Sequence, residues 1–540
     1  MSALSMPVFT NNEPGLAVLS VLDWSVVAVY TTGLVLLGVL VSRRRAGPVD
    51  YFLASRATRW PAIGLALFAS NMSSTALVGL AGGAYSIGLS IYNYEWSANV
   101  ILVFFCVFLL PYIIRSQTFT MPEFLERRYD RRARLYFALL TLLLNIFVDS
   151  AAILYSGSLV GQVLLPGWPL WLIVAILAGA AGLYTVLGGL RAVIYTEAVQ
   201  AIVLLAGALL ISIGAFHRAG GWHAVMDAVD PAFTSLIRPI HDPGVPWPGL
   251  LVGIPLLGFY YWCTNQSIVQ RMLSAKNIEH ARWGALFAGL LKLPILFLIV
   301  LPGTCALVLF PHLPRADMVY PNLILRVLPA GFIGLVVSGF IAATMVSISS
   351  MLNSASTLIT MDVIKQFRPS LSDAQVVRIG KWSTAVLFMV AIAWAPQLQL
   401  FPSLWQYLQA VLSYAVPPIV AVFLAGMFWR GANADGAAAA MRWGSVAGLA
   451  FFMVNVVFGW TDLHFLYAAP ILTALDLGLV IGVSKASKVE LSASSAATMW
   501  TRDFSKSEHL RLQRTPAWQD YRIQSAVLLI LTGIIVYWFR

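Results

Sequence analysis

The stretch "LFASNMSSTALVGLAGGAYSIG", Leu67 to Gly88, lies inside an apolar run long enough to cross a bilayer. It nevertheless puts Asn71, Ser73, Ser74 and Thr75 at its middle and follows them with Gly79, Gly82 and Gly83. A lipid-facing helix gains nothing from such residues there. Backbone that leaves the helix at membrane depth is tolerated only where protein buries it or where it lines a cavity. The stretch therefore predicts an interrupted helix, whose loosened turn offers free carbonyls to a cation and free N–H groups to a polar molecule.

The rest of the chain supplies the membrane setting. Of its 540 residues 59% are hydrophobic and 11% charged, where a soluble domain carries roughly 25% charged residues. Continuous apolar runs, without the period-two alternation of a β-barrel, recur from end to end and predict an all-α membrane protein. Fourteen spans are expected, near 16–41, 60–86, 88–114, 132–164, 168–188, 190–217, 248–272, 278–310, 329–363, 376–396, 400–427, 435–459, 462–483 and 519–539. No Lys or Arg precedes Arg43, so the first run lacks the basic start of a cleaved signal and is expected to stay as a span.

Charge tests this count independently. With the N-terminus outside, the cytoplasmic connections are 42–59, 115–131, around 189, 273–277, 364–375, 428–434 and 484–518. With their flanking helix ends they hold 28 of the 34 Lys and Arg residues. Arg218, Arg238, Arg315, Arg326 and Arg540 fall outside, and Lys292 alone lies within a span. The expectation is a multi-pass cell-membrane protein with both termini outside. The same rule accounts for the net charge of +11 without nucleic acid as a partner.

Five spans after the first interrupted helix comes a second, "GIPLLGFYYWCTNQSIVQR", Gly253 to Arg271, with Pro255 and a polar Asn265–Gln266–Ser267 cluster. Matching interruptions in two halves predict a five-plus-five inverted repeat, 60–217 and 248–427. A single domain, 1–540, then has an extra N-terminal helix at 16–41 and peripheral helices at 435–539. The competing reading makes both stretches small-residue packing faces.

Four stretches carry a family resemblance: "ASNMSS…GLAGGAYSIGLSIYNYEW" (69–96), "YTVLGGLRAVIYTEAVQ" (184–200), "YYWCTNQSIVQR" (260–271) and "SMLNSASTLITMD" (350–362). Here the chain resembles the sodium/solute symporter family, and within it the sodium/sugar cotransporters of the sodium/galactose type. The resemblance implies a LeuT-like fold, alternating access, and Na⁺-driven symport of a sugar or related polyhydroxylated solute bound at the bilayer midplane.

It also implies sites. The principal Na⁺ would take the carbonyls of Ala69, Met72 and Ala343 and the hydroxyl of Ser347; Val346 stands where the family has a further serine. Ser347, Ser350 and Ser354, three and four apart, share a helical face. A possible second Na⁺ would use Ser349, Ser350 and Glu197, a Glu in place of the family Asp. An ion pair of Glu197 with Arg191 is the structural alternative. For the solute, the resemblance points to Asn71, Glu95, Lys292 and Gln409, with Tyr261 as inner gate and Trp262 beside it. Thr75, Ala76 and Asp149 are altered pocket positions, as are Gly258 and Ala98. Glu95 is expected to pair with Lys292; Asp149 is expected to pair with Lys292 or to favour another sugar, a polyol or an amino-bearing solute.

Other functions are poorly supported by the residues. The seven histidines lie in loops or at span ends, and there is neither H-E-x-x-H nor G-x-S-x-G. No Walker sequence points to ATP. Cys106, Cys263 and Cys305 have no metal-type spacing and read as packing residues. Two alternatives stay open: H⁺ coupling through Glu197, and a sensor that binds solute without moving it.

Overall fold

The computed structural model describes residues 19–42 and 56–540 apart from 166, 188–189, 402, 488–492 and 514. Residues 16–18 of the first expected span and parts of the basic connections near 43–55, 189 and 488–514 lie outside the described residues. Among the described residues the secondary structure is helical, with two isolated bridges and no strand.

Every expected span carries a helix or a pair of helices. α1 (Val21–Ser42) is followed by α2 (Trp60–Asn71), α3 (Ser74–Ile87), α4 (93–116), α5 (131–164), α6 (Leu170–Leu187) and α7 (Leu190–Arg218). A second group comprises α8 (Gly249–Thr264), α9 (Gln266–Leu273), α10 (Ile278–Leu309), α11 (Phe332–Phe367), α12 (Asp373–Trp394), α13 (Leu404–Ala415) and α14 (Pro417–Phe428). α15 (Ala434–Val457), α16 (Phe465–Ser487) and α17 (Tyr521–Trp538) follow. By length and composition alone, nine helices among the described residues suffice to cross a membrane, or ten with the bent pair α13–α14. α2 and α8 fall short because breaks cut them.

The first break is at Met72 and Ser73. Met72 leaves helical geometry at φ −82°, ψ 50°, Ser73 is extended at φ −68°, ψ 171°, and α3 restarts at Ser74. The last carbonyls of α2 and the first N–H groups of α3 are thereby released from helical bonding. Gly79, Gly82 and Gly83, read from sequence as part of the weakness, lie instead within regular α3. Their missing side chains admit neighbours: a Cβ on Gly79 would stand 2.8 Å from the Trp405 ring, and one on Gly82 2.7 Å from the Ala316 carbonyl oxygen. The second break is at Asn265, φ −62°, ψ 123°. Its side-chain oxygen accepts from the Ser267 N–H at 2.9 Å and so caps α9.

Between α3 and α4 the chain turns at Gly88, whose φ of +70° brings it against the Phe233 backbone. At the α13–α14 junction Pro417 and Pro418 accompany a 53° bend. α11 forms the centre, packed on α1, α6 and α7, while α2 lies between α7 and α10. Trp382, Met389, Trp443, Ile530 and Trp538 on the outer helices keep large apolar surfaces exposed, as a lipid-facing rim requires.

Candidate functional site

The first break opens onto a cavity of about 130 Å³. A single water needs roughly 10–15 Å³ on the same measure, so the space suits a small organic molecule. Asn71, Thr75, Ala76, Glu95, Asp149, Tyr261, Trp262, Lys292 and Gln409 all line it. These positions are thus brought to one place from α2, α3, α4, α5, α8, α10 and α13. Gly258 also lines the cavity, whereas Ala98 is buried outside its lining.

One cation organises the polar wall. Lys292, 1% exposed on α10, donates to the Glu95 carboxylate at 2.5 Å and to the Asn71 side-chain oxygen at the break. Its ammonium also sits 4.8 Å from the centre of the Trp262 ring. The expected Glu95–Lys292 pair is present. Asp149 differs from one sequence reading: it forms no ion pair with Lys292, whose charge is taken by Glu95. On α3, Thr75 meets the Ser156 hydroxyl at 3.4 Å, and Ser156 also donates to Ser74 at 2.9 Å.

Aromatic side chains that the sequence reading missed complete the lining: Tyr94, Tyr260 and Trp405. Tyr94 meets Trp405 edge-on at 5.2 Å, and Tyr261 meets Trp262 likewise at 5.2 Å. Asp149 belongs to a π-helical turn, Asn145–Ser150, and Tyr261 and Trp262 to another, Tyr260–Thr264. Such single π turns insert into α-helices, frequently at functional sites.

The expected ion positions divide. Ala69, Met72, Ala343 and Ser347 are buried where α2 ends beside α11, outside the cavity lining. Peptide carbonyls with one hydroxyl are a hard-oxygen set. Val346 packs with Ala342 against Tyr30 of α1. The shared hydroxyl face is already partly occupied: Ser350 accepts from Arg271 at 2.6 Å, and Ser354 accepts from Asn145 at 3.5 Å.

Glu197 has a partner that was not foreseen. The Arg271 guanidinium grips both its oxygens, one through Nε at 2.9 Å and the other through Nη2, and Ser70 donates to it at 3.4 Å. Both charged side chains are 1% exposed. Arg271 therefore ties the end of α9 to α7, to α11 through Ser350, and to the end of α2 through Glu197 and Ser70. The Arg191 side chain lies outside the described residues. Ser349 is buried, and among the described residues its hydroxyl has no partner.

With this geometry established, comparison with known proteins is informative. Residues 51–444 match the sodium:solute symporter family. The chain belongs to that family. It is 33% identical to sodium/glucose cotransporter 4 of Danio rerio, over 95% of this chain and 86% of the relative. It is 36% identical to sodium/mannose cotransporter SLC5A10 of Bos taurus, over 84% and 81% of the two chains. Among solved structures, a Na⁺-coupled sialic acid symporter in a substrate-bound outward-open state superposes with a TM-score of 0.75. That match is 24% identical and covers 86% of this chain and 98% of the other. The nucleobase-cation-symport-1 transporter Mhp1, 14% identical over 84% and 98%, gives 0.55. These likenesses carry the LeuT-like fold. As a sodium:solute symporter this chain is a membrane transporter rather than an enzyme, with sodium as its coupling ion.

Proposed function

We propose that this symporter moves a sugar or related polyhydroxylated solute together with Na⁺, binding the solute in the cavity beside Met72–Ser73. The observation that carries this reading is the reach of Lys292 to both Glu95 and Asn71, which fixes a donor–acceptor wall next to aromatic faces. Hydroxyl groups suit such a wall because each both donates and accepts. The relatives named as glucose and mannose cotransporters support the same class. Tyr261 and Trp262 would cover the solute, with Thr75, Ala76 and Gln409 shaping the remaining surface.

Na⁺ is assigned to the carbonyls of Ala69, Met72 and Ala343 and the Ser347 hydroxyl, so that one break serves ion and solute together. A second Na⁺ at Glu197, Ser349 and Ser350 is disfavoured, because Arg271 already supplies the positive charge there. The stoichiometry proposed is one Na⁺ per solute. The same pairing argues against Glu197 as a carrier of H⁺.

Fourteen crossings, both termini outside and two inverted halves, 60–217 and 248–427, complete the proposal. Alternating access finds support in Asn145 of α5 and Asn353 of α11, which among the described residues keep buried side-chain polar atoms without partners. Each such atom costs about 1–3 kcal/mol in this state, a cost that a state admitting water to these groups would relieve. A hexose and polyol panel, read as thermal shift with and without Na⁺, tests the reading; stabilisation only with Na⁺ is expected. Counterflow of labelled solute in proteoliposomes separates a transporter from a sensor. Uptake driven by a pH gradient without Na⁺ would replace Na⁺ with H⁺.

A further inference from the structure

We infer that the solute carries a protonated amine and that Asp149 is its counter-ion. This rests on the proposed cavity as the solute site and narrows the class to an amino sugar or amino polyol.

With Asp149 ionised, the cavity's charges do not balance without such a group. Glu95 and Lys292 cancel, and the Lys292 ammonium has no further charge to give. Asp149 lines the same cavity, and among the described residues no hydrogen bond or ion pair reaches its carboxylate. Its position is firmly held. The Tyr407 hydroxyl donates to the Phe147 carbonyl at 2.7 Å, and Trp394 packs edge-on against the Phe147 ring at 5.3 Å, both within the π turn that carries Asp149.

A lone carboxylate within a membrane is costly and calls for a cation. Neutral hydroxyls satisfy its hydrogen bonds but leave its charge. Na⁺ finds a hard-oxygen set on the other side of the break. An ammonium, by contrast, suits both the carboxylate and the surrounding rings of Tyr94, Tyr261 and Trp405, whose faces attract cations. Lys292 over Trp262 is an instance of that chemistry already within the same wall.

The test measures Na⁺-dependent binding and uptake by the full-length protein in proteoliposomes. The probes are glucose and galactose against their 2-amino, 3-amino and 6-amino deoxy analogues, with N-acetylglucosamine as a neutral control of similar bulk. At least one amine is expected to bind ten-fold or more tightly than its parent hexose. Asp149→Asn, nearly isosteric, should abolish that preference, with an unshifted melting temperature in the absence of solute reporting the fold. Asp149→Ala should behave alike if Asn proves unstable. Hexoses that bind as well as every amine, with a ratio unchanged in the variants, would overturn the role of Asp149 and leave the sugar reading standing. Loss of Na⁺ activation at an unchanged ratio would overturn it in favour of the ion. No response to any probe would remove both readings.

Discussion

Two buried ion pairs, Glu95–Lys292 and Glu197–Arg271, flank the same helix break and differ in what surrounds them. Glu95 and Lys292 face a cavity, and their spare hydrogen-bonding capacity points into it. Arg271 is enclosed: it reaches both Glu197 oxygens, the Ser350 hydroxyl and the Ser267 carbonyl. Equal burial therefore does not mean equal role. A pair beside free space is available to a ligand; a pair closed on every side holds helices together.

The sharpest way to break this comparison is to remove one charge from the closed pair. Arg271→Ala strands the Glu197 carboxylate and is expected to cost about 3–5 kcal/mol, seen as a large fall in thermal midpoint. The double variant Glu197→Leu, Arg271→Met should recover most of that loss, since neither charge then needs compensation. A double variant no better than the single one would show that the pair does more than seal.

Lys292→Met should reverse the pattern. Solute affinity is expected to fall by about 2–5 kcal/mol, some 30-fold or more, because a buried charge-assisted partner is lost. The thermal midpoint should fall less than in Arg271→Ala, since water in the cavity can solvate Glu95. Equal losses of stability in both variants would erase the distinction.

Smaller effects should separate the solute from the ion. Tyr261→Ala is expected to speed solute release roughly ten-fold while sparing the fold, as removal of one aromatic cover would; stopped-flow release of labelled solute reads this. Ser347→Ala should weaken Na⁺ activation by about 1 kcal/mol, several-fold in half-saturation, with little change in solute selectivity. Val346→Ser, the smallest change, should leave Na⁺ activation within about three-fold. Its side chain packs against Ala342 and Tyr30, and a lone hydroxyl bond adds only about 1 kcal/mol even when well placed. A large gain of Na⁺ affinity would mean that Val346 can turn toward the ion.

Much of this was legible in the chain itself. Asn71 to Thr75 in an apolar run pointed to a break received by protein or a cavity, because lipid does not tolerate freed peptide groups, and the break lies at Met72–Ser73. Resemblance supplied the cavity positions, and all of them but Ala98 line one space. The glycines of α3 were misread because sequence does not distinguish a glycine that loosens backbone from one that admits a neighbour; only Trp405 and Ala316 settle that.

Sequence alone determined the membrane setting, the helix positions and the break, since hydropathy and helix-breaking polarity act over a turn or a span. Tertiary structure decided which charge meets which. Arg271 and Glu197 are 74 residues apart, and Lys292 and Glu95 are 197 apart. Among the described residues the same arrangement leaves Asp149 without a partner. Coulomb energy depends on distance and on the dielectric between groups, and neither is fixed until the helices are packed.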